Sequence, residues 1–250
     1  MNRWTLVPTP NPAARVRLFC FPYAGGGASI FNTWPRGLPA EVEVVGVQPP
    51  GREARIGETP IGNLHELADA IHRELTPLLD RPFVLFGHSN GGLMAFELAR
   101  RLRRAGGPMP QLLVASGRPA PQLADEEPPI HALPYGEFID ALRRYNGTPE
   151  EILANAEIME LLEPVLRADF SLGETYRYDA EPPLDVPITA FGGERDDEVP
   201  REQVEAWREQ TTGEFRMQMF PGDHFFLNSD RPQVLAALSR ELRPIVAAHG

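Results

Sequence analysis

The 250-residue chain contains no lysine: all 24 of its basic residues are arginines, a mark of G+C-rich coding that carries no chemistry of its own. Cysteine is nearly absent as well. Cys20 stands alone, so no internal disulfide can form and no thiolate set can hold a structural zinc, which fits a reducing compartment. No uncharged run approaches the roughly 18 residues of a membrane span. The first fifteen residues hold three prolines and no apolar stretch of signal-peptide length, so the chain reads as soluble and cytoplasmic. Positive charge is in deficit: 35 acids against 24 arginines give a formal charge of −11. Phosphate-backbone binding needs a cationic face that this composition does not supply, so nucleic acid is not an expected partner.

What remains is enough for one full-sized domain, which at this length buries roughly three quarters of its unfolded surface. Short apolar or β-branched runs at 16–21, 42–48, 83–86, 111–116, 187–191 and 215–220 are bounded by Gly, Pro or polar residues and read as strands. Helical spacing of apolar residues at 64–79, 92–102, 201–209 and 234–248 alternates with them. Strands this continuously apolar imply a mostly parallel sheet covered by helices on both sides. Residues 119–182 break the rhythm. A Pro-rich loop precedes a helix near 135–144, then Thr148 and Glu151 form a Thr-x-x-Glu capping box, and 155–178 carries Ile158, Leu161, Leu162, Val165, Leu166 and Phe170 at helical spacing. Pro164 should kink that stretch or mark a boundary. An all-helical insertion is the simplest reading, with 1–118 and 183–250 as the core.

The chemistry concentrates at Gly87-His88-Ser89-Asn90-Gly91, a G-x-S-x-G motif that runs from an apolar strand straight into a helix. A nucleophile elbow needs a turn so sharp that the serine is strained and its hydroxyl projects above the sheet, with small residues on either side. Ser89 is the candidate nucleophile, and the His88 side chain should point away, because the elbow aims only Ser89 upward. A serine needs a base and an orienting acid, in chain order Ser, Asp or Glu, His. His224 follows the strand at 215–220, and Asp196 follows the strand at 187–191, where loops leaving parallel strands gather function. Adjacent Asp197, and Asp223 or Asp185, compete with Asp196, because spacing does not separate them. The oxyanion hole calls for two backbone N–H groups, from Asn90 and from Ala24 in the Gly-rich loop after the first long strand. That loop lacks both G-x-G-x-x-G and a P-loop lysine, which argues against nucleotide binding.

Phe19-Cys20-Phe21-Pro22-Tyr23-Ala24-Gly25-Gly26-Gly27-Ala28, Gln48-Pro49-Pro50-Gly51-Arg52-Glu53, Gly87-His88-Ser89, Gly192-Gly193 with Asp196, and Phe220-Pro221-Gly222-Asp223-His224-Phe225-Phe226 occur in one order across nearly the whole chain. Together they resemble the type II thioesterases, the free-standing editing hydrolases that accompany polyketide synthases and nonribosomal peptide synthetases. The resemblance implies an α/β-hydrolase fold whose inserted helices at 119–182 form a lid. It also implies an acyl thioester substrate on the phosphopantetheine arm of an acyl or peptidyl carrier protein, with no metal or redox cofactor. Asn90 departs from the family, which more usually has an apolar residue such as Met there, so the acyl pocket should be more polar. A generic carboxylesterase on the same fold and a catalytically silent docking partner of a megasynthase are the alternatives. Residues 119–182 hold 14 acids and four arginines, net −10, which leaves the core near neutral. An acidic lid would steer an acidic carrier toward core arginines. Arg52 and Arg55, and the cluster Arg100, Arg101, Arg103 and Arg104, are the candidates to meet the carrier or its phosphate.

Overall fold

Thr5–Leu6 (β1), Val16–Phe21 (β2), Val42–Val47 (β3), Phe83–His88 (β4), Leu112–Ser116 (β5), Ile188–Gly193 (β6) and Phe215–Phe220 (β7) are strands of one sheet. The computed structural model describes residues 3–123, 128–145 and 147–249. The strand order is β1-β3-β2-β4-β5-β6-β7, parallel throughout except for β1, a short antiparallel edge on β3 that the apolar runs did not announce. Every residue of β3 to β6 is buried, because both faces of the sheet are covered. Alternation divides the core in two. Phe19, Leu85 and Leu113 face one apolar cluster, and Leu18, Val84 and Val114 face the other.

The helices cover these faces. Leu64–Leu75 (α1) buries Leu64, Leu67, Ala68, Ile71 and Leu75 along one stripe and is capped by the Asn63 side chain, which accepts the Glu66 N–H. Pro77 ends it early, in a 3₁₀ turn over Thr76–Leu78. Asn90–Arg104 (α2) is buried over most of its length against the first cluster, whereas Arg231–Ala248 (α8) packs on the second. Arg201–Glu205 (α6) and the four-residue Phe226–Ser229 (α7) lie in the connections after β6 and β7.

Between β5 and β6 the chain forms Tyr135–Tyr145 (α3), Glu150–Leu153 (α4) and Ala156–Glu174 (α5). Ile130, Phe138, Ile139, Leu142, Leu153, Met159 and Leu166 give this insertion an apolar cluster of its own. The Thr148 box does not form: Pro149, in extended conformation, is the residue that opens α4. α5 instead starts at Asn155, whose side chain accepts the Ile158 N–H, and it runs on through Pro164. Leu161, before that proline, is 64% exposed, whereas Val165, Leu166, Asp169 and Leu172 after it are buried. Among the described residues, no helix is long and apolar enough to cross a membrane.

The chain passes from β2 out to β3 and then returns to the other side of β2 as β4. This reversal makes the carboxyl ends of β2 and β4 a topological switch point, where open α/β sheets place their ligands.

Candidate active site

Ser89 sits at that switch point. It leaves β4 with φ 52° and ψ −121°, a left-handed conformation that a residue with a side chain rarely adopts. Two glycines permit the turn. A Cβ on Gly87 would lie 1.9 Å from the Gly91 carbonyl oxygen, and one on Gly91 would lie 2.2 Å from the carbonyl oxygen of Phe21. The Ser89 N–H donates to the Ser116 carbonyl at 2.8 Å, tying the elbow to β5. α2 begins at Asn90, so the partial positive charge of a helix N-terminus lies beside the serine.

His224 and Asp196 come together from the loops after β7 and β6. His224 Nδ1 lies 2.8 Å from Asp196 Oδ2, and Asp196 Oδ1 accepts the N–H groups of Glu198 and Val199 at 3.0 and 3.1 Å. The carboxylate is therefore buried, held by main chain and aimed at one imidazole. Asp197 is exposed, and Asp223 accepts the Phe225 N–H instead. Burial of His224 opposes its protonation. The Asp196 hydrogen bond and charge, with Glu198 nearby, outweigh burial and hold the pKa above the usual histidine value.

His88 does not leave the site as the elbow geometry suggested. Its ring is fully buried and bridges the end of β5 and the loop after β7, with Nδ1 2.9 Å from Ser116 Oγ and Nε2 2.9 Å from the His224 carbonyl oxygen. A carbonyl only accepts, so Nε2 carries the proton and Nδ1 receives the Ser116 hydroxyl. Burial and the neighbouring His224 charge push the His88 pKa well below the ordinary value and keep the ring neutral. The available clue was register: His88 pairs with Ser116 across two otherwise apolar strand ends.

The glycine-rich loop after β2 is fastened from several sides. Gly26 N–H donates to the Tyr23 carbonyl at 3.0 Å, Ala28 N–H to Gln48 Oε1 at 2.6 Å, and Gly25 N–H to Asp169 Oδ2 at 2.7 Å. Asp169 belongs to α5. The Asn90 side chain also turns to that helix, its Nδ2 donating to the Asp169 carbonyl at 2.6 Å, so this amide is engaged with the insertion. Phe225 packs edge-on against Tyr23 at 5.3 Å between ring centres, and a Cβ on Gly147 of the insertion would stand 2.8 Å from the Phe225 ring.

The arginines expected to meet a carrier require correction. Arg52 is 4% exposed and grips Asp169 through two nitrogens, at 2.8 and 2.9 Å. Arg55 is also buried, on Glu58, the Gln48 carbonyl and the face of Trp4. Neither presents a cation to a docking protein. Arg100 and Arg101 close on buried Glu97 at 2.6 Å each, and Arg103 and Arg104 close on Glu181, whose pKa is held down to about 2: its partial burial opposes ionisation, and the arginines overcome that. Among the described residues, no group of three or more His, Cys, Asp and Glu side chains is placed to hold a metal ion.

Comparison with known proteins agrees in extent. The Thioesterase domain family model matches residues 16–242. The chain is 46% identical to the gramicidin S biosynthesis protein GrsT of Aneurinibacillus migulanus, over 99% of this chain and 96% of that one. Among solved structures it resembles the RedJ thioesterase from the prodiginine biosynthetic pathway of Streptomyces coelicolor, with 42% identity and a TM-score of 0.86, covering 92% of this chain and 91% of that one. It also resembles the type II thioesterase BorB from the borrelidin biosynthetic cluster, at 36% identity and TM-score 0.87 over 96% and 98% of the two chains. A seven-stranded, mostly parallel sheet, a strained serine after its central strand and this breadth of match together establish that the chain belongs to the thioesterase domain family of α/β-hydrolases and is an enzyme that acts on thioesters.

Proposed function

We propose that the enzyme clears aberrant or short acyl groups from the phosphopantetheine arm of acyl or peptidyl carrier proteins, through an acyl-Ser89 intermediate. The observation that carries the mechanism is the strained Ser89 at the same carboxyl end of the sheet as the His224–Asp196 pair. The biosynthetic setting of the matched relatives supports the substrate class.

The steps follow from the side chains. Ser89 Oγ attacks the thioester carbonyl while His224 takes its proton. Asp196 holds the imidazole in the required tautomer and stabilises its cation. The carbonyl oxygen becomes an alkoxide, received by the N–H groups of Ala24 and Asn90. Gly25 and Gly26 already use their N–H groups within the fold, which favours Ala24 as the loop's donor. Collapse breaks the C–S bond, and the thiolate leaves with the proton that His224 took from Ser89, which returns the imidazole to its neutral form. Water, deprotonated by His224, then hydrolyses the acyl-serine ester, releasing a carboxylic acid and restoring Ser89. The insertion serves as the lid over this site, since Gly147 reaches Phe225 and α5 reaches the glycine-rich loop.

The test is hydrolysis of acyl-carrier, acyl-pantetheine and oxygen-ester substrates of equal chain length. Preference for the acyl-carrier thioester and its loss in Ser89→Ala are expected; preference for the oxygen ester would replace this reading with a general carboxylesterase. A fluorophosphonate that failed to label Ser89 in folded protein would point to a silent docking role.

A further inference from the structure

We infer that Asp169, on the inserted helix α5, is a positioning residue for both halves of the oxyanion hole. The inference rests on the thioesterase reading above. Asp169 is 1% exposed, yet each of its oxygens has a partner from a different part of the chain. Oδ2 accepts the Gly25 N–H at 2.7 Å and Arg52 Nη1 at 2.8 Å, Oδ1 accepts Arg52 Nη2 at 2.9 Å, and the main-chain carbonyl accepts Asn90 Nδ2 at 2.6 Å. Gly25 directly follows Ala24, and Asn90 directly follows Ser89. One residue therefore holds the neighbour of the first N–H donor and the side chain of the second.

Arg52 completes the clamp. Its planar fork engages both carboxylate oxygens and fixes the carboxylate plane, and its Nη1 also reaches the Gly26 carbonyl at 3.1 Å. The Gly-rich loop is thus pinned at the Gly25 N–H by Asp169 and at the Gly26 carbonyl by Arg52, on the chain immediately after Ala24. Stability alone gives little reason for such a pair, because buried ion pairs are commonly matched or exceeded by apolar residues of similar volume. What apolar replacements do not supply is direction. An oxyanion donor acts only when it lies within hydrogen-bond reach of the developing alkoxide, and loss of one such donor lowers kcat by roughly 10²–10³-fold.

Two kinds of variant separate positioning from support of the fold. The double substitution Arg52→Met with Asp169→Leu removes both charges together and leaves no uncompensated ion. Asn90→Ala keeps the main-chain N–H and cuts only the tie to α5. Acyl-carrier hydrolysis is measured alongside two inhibitors: a trifluoromethyl ketone of the acyl chain, whose adduct places an oxyanion in the hole, and the corresponding acyl-pantetheine amide, which does not react. The double variant should melt near the wild type and lose on the order of 10–100-fold in kcat with KM within a few-fold. It should lose trifluoromethyl-ketone affinity in parallel and retain amide affinity, and the pH of its acid limb should not move, since His224 and Asp196 are untouched. Asn90→Ala should show the same split at smaller size, and it decides the matter should the double variant not fold. A folded double variant with wild-type kcat, or an Asn90→Ala protein with unchanged ketone affinity, overturns the inference while leaving the editing function in place. A wild-type enzyme that does not hydrolyse acyl-carrier thioesters overturns the function itself.

Discussion

Gly91 and Gly92 are neighbours in the first turn of α2, and alanine at each should have opposite consequences. A methyl group on Gly91 would stand 2.2 Å from the Phe21 carbonyl oxygen, 2.7 Å from its carbon and 2.9 Å from the Pro22 oxygen, all main-chain atoms at the end of β2. Reaching an ordinary contact requires α2 and β2 to separate by roughly 1 Å, a displacement that can cost about 10²-fold in rate when it reaches a catalytic group. Here it would, because Ser89 directly precedes the helix and the glycine-rich loop begins at Pro22. Overpacking of this kind destabilises by about 1–3 kcal/mol, or roughly 2–12 °C in melting temperature for a chain of this size. A methyl group on Gly92 meets only Arg118 Cβ at 3.4 Å and the Gly87 oxygen at 3.5 Å, which are ordinary contacts. Gly92→Ala should therefore gain the helix propensity of alanine, up to about 1 kcal/mol. Thermal melts and steady-state hydrolysis of an acyl-pantetheine thioester test the pair. Equal kcat and melting temperature in Gly91→Ala and Gly92→Ala would refute the close-approach argument.

The remaining predictions concern charge and the catalytic loop. His224 must be neutral to take the Ser89 proton, and its pKa lies above the ordinary 6.5, so kcat/KM should fall as pH drops through a value above 6.5. Asp196→Asn removes the charge that raises that pKa while burial remains, so the acid limb should move to lower pH as kcat falls; a limb that stays put in the pH–rate profile contradicts the assignment. The same raised pKa makes protonated His224 a stabilising partner of Asp196 at low pH, and that stabilisation should fade as pH rises through the folded-state value, visible as a pH-dependent melt that Asp196→Asn flattens. His88→Ala should lose about 2 kcal/mol of stability and on the order of tenfold in kcat, with His88→Gln milder in both, since the His224 carbonyl loses its donor; unchanged kcat in His88→Ala would argue against a link through that carbonyl. Glu97→Ala takes one carboxylate from two buried arginines that keep Glu181 and Asp69, and should cost about 1–3 kcal/mol, whereas Arg104→Ala, at a side chain 43% exposed, should stay within about 1 kcal/mol by chemical denaturation.

How legible these features were depended on how local their causes are. β2 to β6 could be read because strands covered on both faces are mostly apolar, and the elbow could be read because two close backbone contacts admit only glycine at 87 and 91. β1 is two residues on an edge and α7 a single turn, both too short to impose a period. The Thr148 box failed because Pro149 itself takes the opening position of α4. Asp196 became separable from Asp197 only through the tertiary direction of its carboxylate, which adjacent positions in a loop do not encode. Arg52 was misjudged for the same reason: its partner lies 117 residues away, so a surface cation and a buried clamp look alike in the chain. The net −10 of residues 119–182 likewise overstated the free charge of that surface, since Asp169 and Glu181 are neutralised by arginines of the core.

Pro164 gives this enzyme a transplant boundary. Residues of α5 before it carry exposed Ile158 and Leu161, whereas those after it are built into the core through Asp169 and Leu172. A chimera intended to borrow another enzyme's acyl selectivity should therefore take its donor segment only as far as residue 163. Extending the exchange to 182 would import a foreign residue opposite Arg52 and take from the glycine-rich loop the carboxylate that accepts the Gly25 N–H.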